Sequence, residues 1–213
     1  MVQSQVDSTT YASTRLGMWA AFALFILCIA YVGVIVVGLD FKAADPTPKD
    51  PVLAVMQVLT VVAALLIVVM MAAVHGHAGP EHKTHGLIAF GLALLMAGVT
   101  CCITFASLTT LGHSHSRGTD LPAMVTSANW FVWDTFLGLS LLFSAPAFRG
   151  KGLQRATRVL LRIAGCMCIL GTLGPATGRM GLQAIASVGY GMVFPVACLF
   201  IGMLWRREVA ERT

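Results

Sequence analysis

Long apolar runs separated by short polar connections dominate the chain. Runs of about 20 residues recur along almost its whole length, each enough to cross a hydrocarbon core roughly 30 Å thick. Six stand out, at 17–39 (GMWAAFALFILCIAYVGVIVVGL), 51–74 (PVLAVMQVLTVVAALLIVVMMAAV), 86–111, 127–147, 159–178 and 181–205. The connections DFKAADPTPKDP and GHSHSRGTDLPAM carry Asp, Pro and Gly, which favour turns and extended chain. A tight turn around GPATGRMG joins the last two runs. Connections this short favour antiparallel neighbours, so the pattern predicts an all-α polytopic bundle of six transmembrane helices. Pro195 is expected to kink the last helix, and Gly174 and Gly178 allow close helix packing.

Composition agrees with this class. The 213 residues are 57% hydrophobic and only 11% charged, against roughly a quarter charged in ordinary soluble domains. Mean hydropathy is +0.83. No stretch outside the six runs is long enough for a soluble domain. Residues 17–205 are therefore expected to form one transmembrane domain, with 1–16 and 206–213 as cytoplasmic tails. The first run is too long for the apolar region of a cleavable signal peptide, and no A-x-A-like site follows it.

Charge sets the expected orientation. With an even number of helices, one side carries Arg15, Lys83, Arg149, Lys151, Arg155, Arg158, Arg162, Arg206, Arg207 and Arg212. The other carries Lys42, Lys49, Arg117 and Arg179. The excess of basic residues on the first side predicts that both termini are cytoplasmic. The net charge of +5 is then an insertion signal and calls for no nucleic acid. The loop FRGKGLQRATR is also suited to anionic lipid headgroups.

Two polar features interrupt the apolar pattern. The first is HGHAGPEHKTH, residues 75–85. His75 and His77 are expected to close the second helix, and His82 and His85 to open the third. Imidazole suits transition metals, and Glu81 offers a further ligand, so these five residues are a candidate cytoplasmic metal site. The alternative is a polar seam at headgroup depth. His113 and His115 fall on the opposite side and belong to neither.

The second feature is Asp134, in NWFVWDTFLGL, the only carboxylate inside a run. An ionisable group there is costly unless it faces the bundle interior or water, which makes it a functional candidate. It is expected roughly 10 Å below the outer end of its helix. Gln57 and Thr104 fall at a similar depth, and Gln183, Ser187 and Tyr190 share one face of the last helix. Arg179, in the last outer turn, is placed to cap or pair with Asp134. Together these residues suggest an outward-facing polar pocket for a cation, a proton or a small solute. The alternative is that the polar groups only join helices through hydrogen bonds.

Other chemistry is excluded or demoted. No run contains a lysine for a retinal Schiff base, and no mid-membrane histidines are present for a bis-histidine haem. H-E-x-x-H, G-x-S-x-G and P-loop motifs are absent. Zinc-efflux proteins place several acidic or histidine ligands inside the membrane, whereas this chain has one acid there. All six cysteines lie within runs, so no disulfide framework is implied.

The segments DPVLAVMQVLTVVAALLIVVMMAAVH, GLIAFGLALLMAGVTCCITFASLT, WFVWDTFLGLSLLFSAPAF and VGYGMVFPVACLF resemble small bacterial six-helix inner-membrane proteins classed only as domains of unknown function. The resemblance implies a multi-pass protein of the bacterial inner membrane and transfers no functional residues. Three functions follow as expectations. One is transport or channel-like passage of a small solute, cation or proton at Asp134. Another is a non-catalytic accessory or assembly role, with a membrane-protein partner or a homo-oligomer. The last is a metal sensor or enzyme built on the histidines.

Overall fold

Six helices long and apolar enough to cross a membrane follow one another in a computed structural model, which describes residues 2–38, 50–111 and 121–211. They run Ala12–Val37, Val52–His77, Pro80–Thr109, Ser127–Ala147, Leu153–Thr177 and Gly181–Ala210. The first three contain α1 (Val2–Gly38), α2 (Asp50–His77) and α3 (Lys83–Leu111). The fourth is α4 (Leu121–Val132), a π turn at Trp133–Leu137 and α5 (Gly138–Ser144). The fifth is α6 (Leu153–Thr177). The sixth is α7 (Met180–Val188), a π turn at Gly189–Val193 and α8 (Phe194–Ala210). No strand occurs among the described residues, as expected where every backbone group must be satisfied within its own segment.

Each span packs on the next along the chain, and α8 returns to pack on α1, so the six close into a ring. The first and last spans meet at one end of that ring. A Cβ built on Gly17 would lie 2.6 Å from the Trp205 ring and would also strike Ala73. The start of the first span, the end of α2 and the end of α8 therefore share a layer, here called the histidine end because His75 and His77 close α2 there.

The expected spans hold, with changes at their edges. Residues 2–16 continue the first helix and do not form an irregular tail. Nothing in QSQVDSTTYASTR breaks a helix, since it has neither proline nor glycine. The fifth helix starts at Leu153, ahead of the apolar run. Its first turns are amphipathic, with Arg155 and Arg162 exposed while Thr157 and Leu161 are buried. At Pro195, where a kink is expected, the structure has a π turn at Gly189–Val193 just ahead of the proline. Proline lacks the N–H its turn would donate, and its ring crowds the carbonyl four residues back. A widened turn accommodates both. The first and third connections, with His113 and His115, lie outside the described residues.

A seam of small residues fixes how the spans meet. The buried positions of α6 are Thr157, Leu161, Ala164, Gly165, Cys168, Gly171 and Gly174, a stripe at three- and four-residue spacing. A Cβ on Gly165 would sit 2.8 Å from the Gly138 carbonyl oxygen, and one on Gly174 would sit 2.7 Å from the Gln183 backbone nitrogen. One on Gly171 would overlap Ala186. These glycines let the fourth and sixth spans approach α6 at backbone distance, the packing that holds helices together where lipid offers no hydrophobic drive. Gly178 ends the helix with φ +69, a left-handed cap. Large side chains such as Trp19, Ile26 and Phe105 remain exposed around the outside, as lipid-facing residues do.

Candidate functional site

Asp134 lies in the π turn of the fourth span and is fully buried. It heads a buried stripe that continues through Leu137, Leu141 and Ser144. Among the described residues neither carboxylate oxygen closes a hydrogen bond. Gln183, Cys168 and Tyr190 are its polar neighbours. Gln183 faces the carboxylate without closing a well-aligned hydrogen bond, for both of its own side-chain polar atoms are buried and unpartnered. The close approach at Gly174 is what brings Gln183 inward.

The expected face of the last span is partly assembled. Ser187 Oγ donates to the Gln183 carbonyl at 3.2 Å and lies 3.1 Å from the Tyr190 hydroxyl. Tyr190 rests against Trp133, with ring centroids 6.1 Å apart, at the opening of the second π turn. The two widened turns, one carrying the carboxylate and the other the tyrosine, both pack on α6 and touch through these rings. Thr135 and Thr172 add an interhelical hydroxyl contact at 3.3 Å.

Gln57 and Thr104 do not join this cluster. They line a separate cavity of about 140 Å³ together with Tyr31, Thr60, Ser107 and Asn129. Its residues come from α1, α2, α3 and α4, all toward the end opposite the histidines. The single expected pocket is therefore two neighbouring polar regions. Tyr190 lies within electrostatic reach of both Asp134 and Tyr31.

Arg179 departs from expectation. It is exposed and forms the N-cap position of α7, where its backbone N–H donates to the Gly174 carbonyl at 3.0 Å. No ion pair joins it to Asp134 among the described residues. The left-handed turn at Gly178 ends α6 and leaves Arg179 at the rim of the bundle, away from the buried stripe.

The histidine stretch closes α2 and opens the third span as predicted, and its residues then diverge. His77 lies 3.6 Å from Glu208 and packs on the rings of Phe148 and Trp205. Glu81 pairs with Arg149. His82 and His85 meet edge to face. Lys83 Nζ donates to the carbonyls of His75 and Gly76 at 3.0 Å each, capping the C-terminus of α2. Among the described residues no three histidine, cysteine or acidic groups converge on one point. The single ligand shell expected from His75, His77, His82, His85 and Glu81 is not formed, because two short helix ends separated by Ala78 and Gly79 point these side chains toward different neighbours.

Tyr31, Thr60, Asn129 and Thr172 are polar participants that spacing alone did not single out. Each is one polar group in an apolar run, and only Asn129, four residues before Trp133 on one helical face, carried a usable signal. No described protein family matches this chain, and neither a curated protein nor a solved structure is significantly similar to it.

Proposed function

We propose that this protein passes a proton, a cation or a small solute across the bacterial inner membrane, with Asp134 as the exchanging group. The observation that supports this most directly is a fully buried carboxylate, in a membrane-spanning segment, with neither oxygen hydrogen-bonded among the described residues. Placing an acidic residue at the centre of a membrane helix costs about 2.5–3.5 kcal/mol on insertion scales. A structural role would be expected to offset that cost with a fixed partner, and among the described residues no cation pairs with Asp134. An ionised carboxylate there needs a counter-charge, and a neutral one needs a proton. A group of this kind is suited to exchange between the two states. The π turn supports the same reading, since such turns recur at functional sites.

The excess of Lys and Arg at the histidine end supports a cytoplasmic location for both termini. The two polar regions then lie in the periplasmic half. The test is proton flux in proteoliposomes carrying an internal pH dye. Wild-type protein should dissipate an imposed pH gradient, and Asp134→Asn should return flux to the background of protein-free vesicles. Equal flux from both proteins would sink the proposal.

Assembly with a partner is the second reading. Gly91 and Gly98 lie on one side of α3, and a Cβ on either would meet nothing within 4 Å. Open backbone of this sort permits a second helix to approach closely. Cysteine crosslinking at Gly91 in native membranes distinguishes a second copy from lipid.

A further inference from the structure

The cavity between α1, α2, α3 and α4 differs in chemistry from the Asp134 cluster beside it. Its apolar wall is Leu53, Met56 and Ile103, and its polar wall is made of hydroxyl and carboxamide groups. Among the described residues no charged side chain lines it. Two of its polar atoms, Gln57 Oε1 and Asn129 Oδ1, are buried without a hydrogen-bond partner. Thr60 donates its hydroxyl hydrogen to the Met56 carbonyl at 2.8 Å and is hydrogen-bonded by Tyr31, so it is already satisfied. The unmet demand of the wall is thus two carboxamide oxygens, each needing a donor.

We infer that this cavity is a binding chamber for a small uncharged solute bearing at least two hydrogen-bond donors, of the amide or polyol class. This rests on the transport reading, to which it adds the substrate class. A volume of about 140 Å³ accommodates one solute of four to six heavy atoms, given that a water takes about 30 Å³ in the liquid. A charged ligand would lose its hydration against a lining with no counter-charge, a large penalty. An uncharged donor satisfies the orphaned acceptors, and its carbon skeleton meets the apolar wall. Sites that must hydrogen-bond a ligand also reject analogues lacking the donors, since the buried acceptors would again go unpaired.

The experiment is solute entry into proteoliposomes by stopped-flow light scattering, with urea, glycerol and sodium chloride as separate osmolytes. Urea or glycerol should enter faster than into protein-free vesicles, and sodium chloride should not. The double variant Gln57→Leu/Asn129→Leu should lower that entry by about ten-fold, the effect of two lost neutral hydrogen bonds. Thr104→Val, a smaller change at the same wall, guards against misfolding and should lower it by a few-fold, with an unchanged size-exclusion profile. Urea and glycerol rates equal to those of protein-free vesicles would overturn the chamber. So would sodium entry that the double variant abolishes, or uncharged-solute entry that neither variant alters. The two readings fail separately. Loss of proton flux in Asp134→Asn without any solute entry retains the carboxylate and removes the chamber. Variant-sensitive solute entry with proton flux unaffected by Asp134→Asn does the reverse.

Discussion

The histidine end and the far half of the bundle both stand out in the sequence as polar, yet they treat their ionisable groups in opposite ways. At the histidine end Glu81 pairs with Arg149, His77 lies against Glu208, and Lys83 caps the carbonyls of His75 and Gly76. In the far half Asp134 is fully buried with neither oxygen partnered, and Gln183 beside it is unsatisfied too. The first arrangement suits a surface connection, where each polar group either finds a neighbour or keeps its water. The second stores an unmet demand in a place water reaches poorly, which is a costly arrangement for a purely structural role. A high density of polar residues is thus a weaker guide to function than a single one left without a partner.

The largest effect that tests this contrast comes from Asp134→Asn, which should abolish proton flux while changing folding stability by less than about 1 kcal/mol, because no partner is left behind. A drop in thermal stability as large as the loss in flux would show that the carboxylate serves the fold. Gly138→Leu comes next. The Gly138 Cβ position lies 3.0 Å from Cys168 Cβ and 3.1 Å from the Gly165 carbonyl oxygen. Overpacking there should cost roughly 1–3 kcal/mol in thermal unfolding in detergent and displace the π turn that carries Asp134. At the histidine end, a double-mutant cycle on Glu81→Ala and Arg149→Ala should give a coupling of about 0.2–1 kcal/mol, as for other exposed pairs. Arg179→Ala should leave proton flux at its wild-type value, and a marked fall would restore the expected pairing with Asp134. Smallest of all, replacing His75, His77, His82 and His85 with alanine should not alter the transition-metal content of untagged protein, measured by mass spectrometry. One equivalent of metal, lost in that variant, would reverse the ranking of the two regions.

Much of the frame was legible before any coordinates. The six runs became six spans with edges displaced by a few residues, and the histidines fell at the junction of the second and third spans. Asp134 was identified by type and depth alone. Its surroundings were not. Gln57 and Thr104 share its depth but open onto another cavity, and Arg179 shares its end of the bundle but sits at the rim. Depth follows from residue number and a fixed rise, whereas azimuth around the bundle does not.

The sequence by itself determined which segments enter the membrane and where ionisable groups lie along them. Transfer of a side chain into hydrocarbon is a local cost that adds along a helix, so composition suffices to read it. Only the tertiary structure decided which polar groups meet. These helices are apolar on nearly every side, so their facing is set by backbone contacts at Gly138, Gly165, Gly171 and Gly174 and by two widened turns. A π turn shifts the register of every later residue on its helix, and the side chains that face one another across the bundle change with it.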